Sequence, residues 1–212
     1  MFIPSSFAAS DPVWLDRLMA RDAFVTVVTT GADGLPQVTL LPVVYRRDAD
    51  GILVEGHWAK ANPQAGHAGP ALMLVHGPHA YVSPGWYPDK VSASRVPTWN
   101  YAAAELRGTL EPVTDPAALM DMLDRLSAVN EAAIGGDWQL DREDPRQTAL
   151  LRGIIGFRFR PQQVQVKLKL SQNHPEANQV SVIDALDADG SPASLELAQW
   201  MRQVRARPVS DG

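Results

Sequence analysis

Residues 23–45 run Ala23-Phe24-Val25-Thr26-Val27-Val28-Thr29-Thr30, then Gly31-Ala32-Asp33-Gly34, then, after Leu35 and Pro36, Gln37-Val38-Thr39-Leu40-Leu41-Pro42-Val43-Val44-Tyr45. Both flanks are rich in side chains branched at Cβ, which suit a pleated and partly buried surface. The Gly/Asp-rich centre is a turn signal, so the stretch predicts a β-hairpin. Arg46 to Gly51 is charged and closes on Asp50-Gly51, after which Ile52 to His57 reads as a third strand. Three strands joined by short turns imply an antiparallel meander.

Working outward, Asp11-Pro12 supplies a capping carboxylate and a proline suited to a helix start, and Trp14, Leu15, Leu18 and Met19 follow at helical spacing. Downstream, Ala71 to His76 and His79 to Ser83 read as strands interrupted by Gly77-Pro78. Lys60 to Gly69 reads as a short helix or a loop. Ser83 to Thr98 holds four prolines or glycines together with Trp86 and Tyr87, and such a length of irregular chain predicts an ordered, functional loop. Trp99 to Leu110 returns to a strand pattern, and Asp115-Pro116 opens a helix with Leu119, Met122, Leu123 and Leu126 on one face. Glu131 to Arg146 gives no clear pattern.

Gly153 to Arg160 and Gln162 to Leu170 are the last strands. In the second, Val164, Val166, Leu168 and Leu170 alternate with Gln165, Lys167 and Lys169, predicting one buried face and one cationic face. Ser191-Pro192 starts a terminal helix with Leu197, Trp200, Met201 and Val204 on one side and Arg202, Arg205 and Arg207 near its end. Six to eight strands with peripheral helices make a mainly β (α+β) fold, a barrel rather than an α/β sheet.

Composition bounds the function. The chain has 212 residues, with 19 Lys+Arg against 24 Asp+Glu, a net charge of −5 and a pI near 5.5. Mild acidity opposes a broad phosphate-tracking surface, so direct DNA binding is open but unsupported by charge. Cysteine is absent, which excludes disulfides, Cys-ligated metals and thiolate catalysis, and suits a reducing compartment. No apolar run approaches the ~20 residues of a membrane span, and the N-terminus lacks the pattern of an export signal. The expectation is a cytoplasmic protein.

Three segments can carry chemistry. His57-Trp58-Ala59-Lys60-Ala61-Asn62-Pro63 puts a cation and an amide just beyond a strand, as a phosphate requires, though a plain surface turn explains it equally. Tyr81 to Pro88 with Val96-Pro97-Thr98-Trp99-Asn100-Tyr101 gathers flat aromatic bodies with polar tips, which suit a planar ligand, an interface or a satellite core. Lys167-Leu168-Lys169-Leu170-Ser171-Gln172-Asn173-His174-Pro175 is a run of donors and acceptors that turn chemistry also accounts for.

Taken together with Met1-Phe2-Ile3-Pro4 and Gly77 to Tyr87, these segments resemble, in order, the motifs of the PaiB-type family of FMN-binding negative transcriptional regulators, over almost the whole chain to about residue 190. The resemblance implies an FMN-binding split β-barrel related to pyridoxamine-phosphate oxidases and flavin reductases, working as a homodimer with flavin in clefts at the subunit interface. Residues 1–190 would be that domain and 191–212 a C-terminal helix and tail. By the same resemblance His57, Lys60 and Asn62 would lie at the cofactor, with Lys60 and Asn62 at its phosphate. Trp99, Asn100 and Tyr101 would build the cleft, and Lys169, Gln172 and Asn173 would hydrogen-bond the ligand or brace the barrel end. Lys60 stands where many members carry Arg, so charge is kept but the planar fork is not.

The function implied is regulation by an FMN-binding dimer, with an FMN-dependent oxidoreductase as the alternative, since the flavin itself carries redox chemistry. A zinc hydrolase built on His76, His79 and His57 or His174 is a third reading. Gly77-Pro78 breaks the helix it would need, and no Glu lies between the histidines.

Overall fold

A computed structural model describes residues 1–206 of the chain. Eight strands and five α-helices are present among them. In chain order they are β1 (Ala8–Ala9), α1 (Val13–Arg21), β2 (Phe24–Thr30), β3 (Pro36–Pro42), β4 (Val44–Asp48), β5 (Gly51–Ala59), β6 (Gly69–Val82), β7 (Thr98–Val113), α2 (Pro116–Ile134), α3 (Pro145–Leu150), β8 (Ile154–Lys169), α4 (Glu176–Asp189) and α5 (Pro192–Ala206). The sheet order is β3-β2-β6-β7-β8-β5-β4, with β1 added antiparallel to β8 at Ala8↔Lys167. The chain divides into two compact units. One comprises Met1–Leu18, His76–Ala104 and Gln165 onward; the other comprises Met19–Val75 and Glu105–Val164.

In the second unit the expected hairpin is present, with Val27 opposite Thr39 and Val25 opposite Leu41. The expected meander is not. β3 and β4 stand at opposite ends of the strand order, because Pro42 lacks a donor and Val43 leaves the strand. The Val43 amide bonds instead to the Ala23 carbonyl, and the chain resumes as β4 against β5, with Val44 opposite Glu55. The interior of this unit is apolar, built on Val25, Val27, Val54, Trp58, Met73, Leu106, Phe157 and Phe159. The Trp58 and Phe157 rings lie 4.9 Å apart at 38°. Each large side chain so enclosed contributes roughly 1.5–3 kcal/mol.

Two breaks expected in the sequence are absorbed into continuous strands. β6 passes through Gly77-Pro78, and the buried face switches there from Met73, Val75 and Gly77 to Pro78 and Val82. A Cβ on Gly77 would come within 2.6 Å of the Ala102 carbonyl and of Leu18, so the glycine permits close packing rather than ending the strand. β8 likewise passes through Pro161. Lys60 to Gly69 resolves as turns, not a helix.

In the first unit α1, α4 and α5 bury Leu15, Leu18, Val182, Leu186, Leu197 and Met201, and the Trp14 and Trp200 rings meet at 5.8 Å. α2 and α5 begin at the prolines read from the sequence, and the Asp115 carboxylate accepts from the Ala118 amide as the cap of α2. α4 was not expected. Its buried residues include Asn178, so no clean apolar stripe announces it. The predicted cationic face of β8 is also corrected: Lys167 is buried, donates to the Phe2 carbonyl, and lies 5.2 Å from the centre of the Tyr101 ring. A long aliphatic stem lets lysine enter a core when a carbonyl and a ring face receive its ammonium.

The tightest crossing in the second unit is at Gly108, where a Cβ would fall 2.2 Å from the Arg160 carbonyl oxygen. Backbone cannot yield as a flexible side chain would. Gly108→Ala should cost about 3 kcal/mol of stability, read as a lowered urea midpoint with unchanged slope. An unaltered midpoint would contradict this packing.

Candidate functional site

The end of β5 sets the first group. Trp58 and Ala59 pair with Ile155 and Ile154 of β8, and the Lys60 amide donates to the Gly153 carbonyl at 2.7 Å. The strand therefore delivers Lys60 to the surface beside Arg152. Both cations line a groove of about 810 Å³ with Leu119, Met120, Leu151 and Ile154. Among the described residues neither Lys60 nor Arg152 has an ion-pair partner. The third cation of the groove, Arg142, is held by Asp121 at 2.7 Å and by Asp124.

Asn62 and His57 are engaged differently. The Asn62 amide donates to the Thr39 hydroxyl at 2.9 Å, while its oxygen accepts from the Gln64 backbone. Thr39 donates in turn to Gln64, whose buried amide also reaches Thr29 and the Gln37 carbonyl. Asn62 thus pins the 60–69 turns onto β2 and β3. His57 is half-buried opposite Gly156, over which Leu119 and Met122 of α2 lie. Burial pushes its imidazole below the usual histidine range, and Nδ1 has no hydrogen-bond partner among the described residues.

The second group belongs to the first unit. Trp99 is 53% exposed, with Tyr81 edge-on at 6.1 Å and His79 at 6.2 Å. The Lys169 ammonium donates to the Thr98 hydroxyl and the Trp99 carbonyl, holding this strand end in place. Burial, with Lys167 alongside, pushes that ammonium down. Asn100 is buried and donates to the Ser171 hydroxyl at 2.8 Å. Tyr101 receives Lys167 on its ring. Gln172 accepts from the Leu170 amide at 2.7 Å and donates to the Leu168 carbonyl, while Asn173 is exposed. Lys169, Asn100 and Gln172 are braces of the turn after β8, whereas Trp99, Tyr81 and Asn173 face outward.

The long loop is ordered by a separate anchor. Asp89 accepts from Arg95 Nε at 2.9 Å and from Asn178 at 2.8 Å, and Ser181 donates to the Trp86 carbonyl. Tyr87 is buried and stacked on His174 at 5.0 Å, so burial pushes the phenol up and the imidazole down. Of the aromatic run, Tyr87 is core and Trp99 is surface.

Residue-by-residue reading did not single out Arg152, Gln64 or Thr39. Arg152 had a signal, a cation just before Gly153 at the start of a strand. Gln64 and Thr39 carried none, since only the fold brings residues 25 apart in sequence into contact.

A family model described as "Putative FMN-binding domain" matches residues 1–163. "Protease synthase and sporulation protein PAI 2" of Bacillus subtilis (strain 168) is 32% identical over 216 residues, covering 99% of this chain and 100% of that protein. "Uncharacterized protein AN0679" of Emericella nidulans is 30% identical over 186 residues, covering 73% of this chain and 74% of its own. Two solved structures share the fold. The FAD and heme binding protein from Mycobacterium smegmatis has a TM-score of 0.54 at 18% identity, over 76% of this chain and 73% of that one. The conserved hypothetical protein Rv2991 from Mycobacterium tuberculosis has a TM-score of 0.51 at 15% identity, over 83% and 95%. The fold is that of the split barrels.

Asp89 supplies a pH test of the loop anchor. Arg95 beside it, with the Asn178 amide, holds its carboxyl at about 2, below the usual 3.8. The depressed value means its contribution is complete above about pH 4 and is lost as pH falls through about 2. Amide exchange at Ala93, which donates to the Asp89 carbonyl, should stay protected to about pH 4 and then open. In Asp89→Asn the protection should already be weakened at neutral pH. Equal protection in both proteins at every pH would remove the anchor.

Proposed function

This chain belongs to the FMN-binding domain family, and we propose that it works as a homodimeric, cytoplasmic flavoprotein whose bound FMN serves a PaiB-like regulatory role. The observation that carries the cofactor assignment to particular residues is the ammonium of Lys60, without an ion-pair partner among the described residues, on the lining of a groove. A phosphate dianion needs such a charge-assisted donor. Each unit holds residues that fit the cofactor in kind: in the second, Lys60 is a cation suited to a phosphate, and in the first, Trp99, flanked by Tyr81, is an outward aromatic face suited to a flat ring. Asn62, Lys169, Asn100 and Gln172 act behind these, holding the turns that carry them. Tyr101 steadies the same strand through Lys167, and Asn173 offers an exposed amide. His57 is half-buried opposite Gly156, and burial disfavours the charged form of its imidazole, so it is poorly suited to meet an anion. When bound, FMN supplies electron or hydride transfer; the chain's residues bind and orient it.

Dimerisation is supported by the outer sheet face of the second unit. Val38 and Leu40 of β3 are 55% and 58% exposed and stand opposite Val28 and Thr26, with the half-buried Leu72 and Leu74 continuing the row on β6. An apolar row reaching the end strand of a sheet calls for cover, and a second copy provides it symmetrically.

One observation weighs against direct DNA contact and keeps an FMN-dependent oxidoreductase as the second reading. Arg202 and Arg205 of α5 are tied to Asp187 and Glu176, so the described cations of that helix are neutralised and offer little to DNA. Arg207 lies outside the described residues. No helix among the described residues is long and apolar enough to cross a membrane.

Lys60→Ala should weaken FMN at least tenfold and riboflavin hardly at all, read by flavin fluorescence quenching. Equal losses would take Lys60 off the phosphate. Sedimentation should show a dimer, with Leu40→Asp shifting it to monomer; a wild-type monomer would contradict the covered face. Anaerobic stopped-flow reduction by NAD(P)H, set beside retention of promoter DNA, separates the roles: DNA retention without fast reduction supports regulation, and fast reduction without retention supports catalysis.

A further inference from the structure

The groove that begins at Lys60 has a chemistry of its own. Its walls are Ala117, Leu119 and Met120 of α2, Leu151, and Ile154 and Ile155 of β8. No carboxylate, aromatic ring or side-chain amide lines it. A tricyclic flavin would find nothing there to stack on and no side-chain amide to read its pyrimidine edge. An aliphatic chain would find a continuous aliphatic wall, in a volume of the roughly 300–1,000 Å³ typical of small-molecule sites.

The rim adds the charge. Arg142 is answered by Asp121 and Asp124, but Arg152 keeps an exposed guanidinium with no carboxylate among the described residues. Thr114 lies on the same lining, while the Thr148 hydroxyl donates to the Pro145 carbonyl. A guanidinium fork by itself matches a planar or tetrahedral oxyanion.

We propose that this groove is a second ligand site, separate from the flavin ring, that takes an aliphatic chain ending in an anionic head, with Arg152 on the head and the Leu119–Ile154 wall on the chain. The site depends on residues of the second unit alone. Lys60 also lines it, but the contacts proposed are those of Arg152 and the aliphatic wall, which do not require the FMN assignment to hold. A ligand seated there lies beside Lys60, which makes it suited to act as an effector or substrate of a flavoprotein.

The test is calorimetric titration of the full chain, with and without FMN, by octanoate, octyl phosphate and 1-octanol. The expected result is saturable binding of octanoate or octyl phosphate, about tenfold tighter than 1-octanol, the difference expected of one charge-assisted contact. Binding by only one of the two anions identifies the head group and supports the site. Arg152→Gln should bring the anion down to the level of the alcohol. Ala149→Trp, at an exposed position on the groove lining, should abolish all three while leaving the urea midpoint unchanged. Absence of saturable binding by both anions, or binding that survives Ala149→Trp, would overturn the proposal. So would undiminished preference for the anion in Arg152→Gln. Loss of FMN binding by the wild-type protein would count against the flavin assignment alone, since the titration is also run without it.

Discussion

The buried carboxylate of Glu55 constrains the second unit. Glu55 is 1% exposed on β5, and a carboxylate taken out of water costs several kcal/mol unless it is matched by cations and hydrogen bonds. Three arginines match it. Arg158 comes from the neighbouring strand at 3.2 Å, Arg125 from α2 at 2.8 Å and Arg46 from β4 at 3.6 Å. The charge therefore ties two strands and one helix to β5. By fixing α2 over β5 and β8, it also fixes where Leu119 and Met120 stand. The cations near Glu55 and those of the groove fall into three sets. Arg46, Arg125 and Arg158 answer Glu55, Arg142 answers two aspartates, and Lys60 and Arg152 are left facing outward at the strand ends.

The sequence was legible where local chemistry and tertiary packing agree. Asp115-Pro116 and Ser191-Pro192 opened helices as cap and first-turn residues do, and the Gly31–Gly34 turn joined the two strands it separates. It misled where packing overrode local cues. Gly77-Pro78 and Pro161 read as strand ends, yet both lie inside long strands, because a missing Cβ at Gly77 or Gly108 admits a neighbouring backbone that local propensity does not see. α4 was invisible because its buried side includes an asparagine engaged by Asp89. The alternation around Lys167 was read with the right period and the wrong solvent, since a carbonyl and an aromatic face were waiting for its ammonium.

The candidate site follows the same division. Motif residues divided into those that present groups outward and those that hold the presenters: Lys60 and Trp99 among the first, Asn62, Asn100, Lys169 and Gln172 among the second. A motif records both kinds alike, because losing a brace displaces the group it supports. Only coordinates separate them. Arg152 gained its meaning from the β5–β8 pairing, which sets it on the same groove as Lys60. The pairing of Arg202 and Arg205 moves weight from direct DNA contact toward chemistry or signalling at a bound flavin.

The account stands most directly on a titration of the wild-type protein with FMN and with riboflavin at low and at moderate ionic strength. It predicts saturable quenching by FMN at one flavin per chain, with an advantage over riboflavin that shrinks as salt screens the phosphate contact. FMN and riboflavin binding alike at both ionic strengths, or FMN failing to bind at high micromolar concentration, would contradict it.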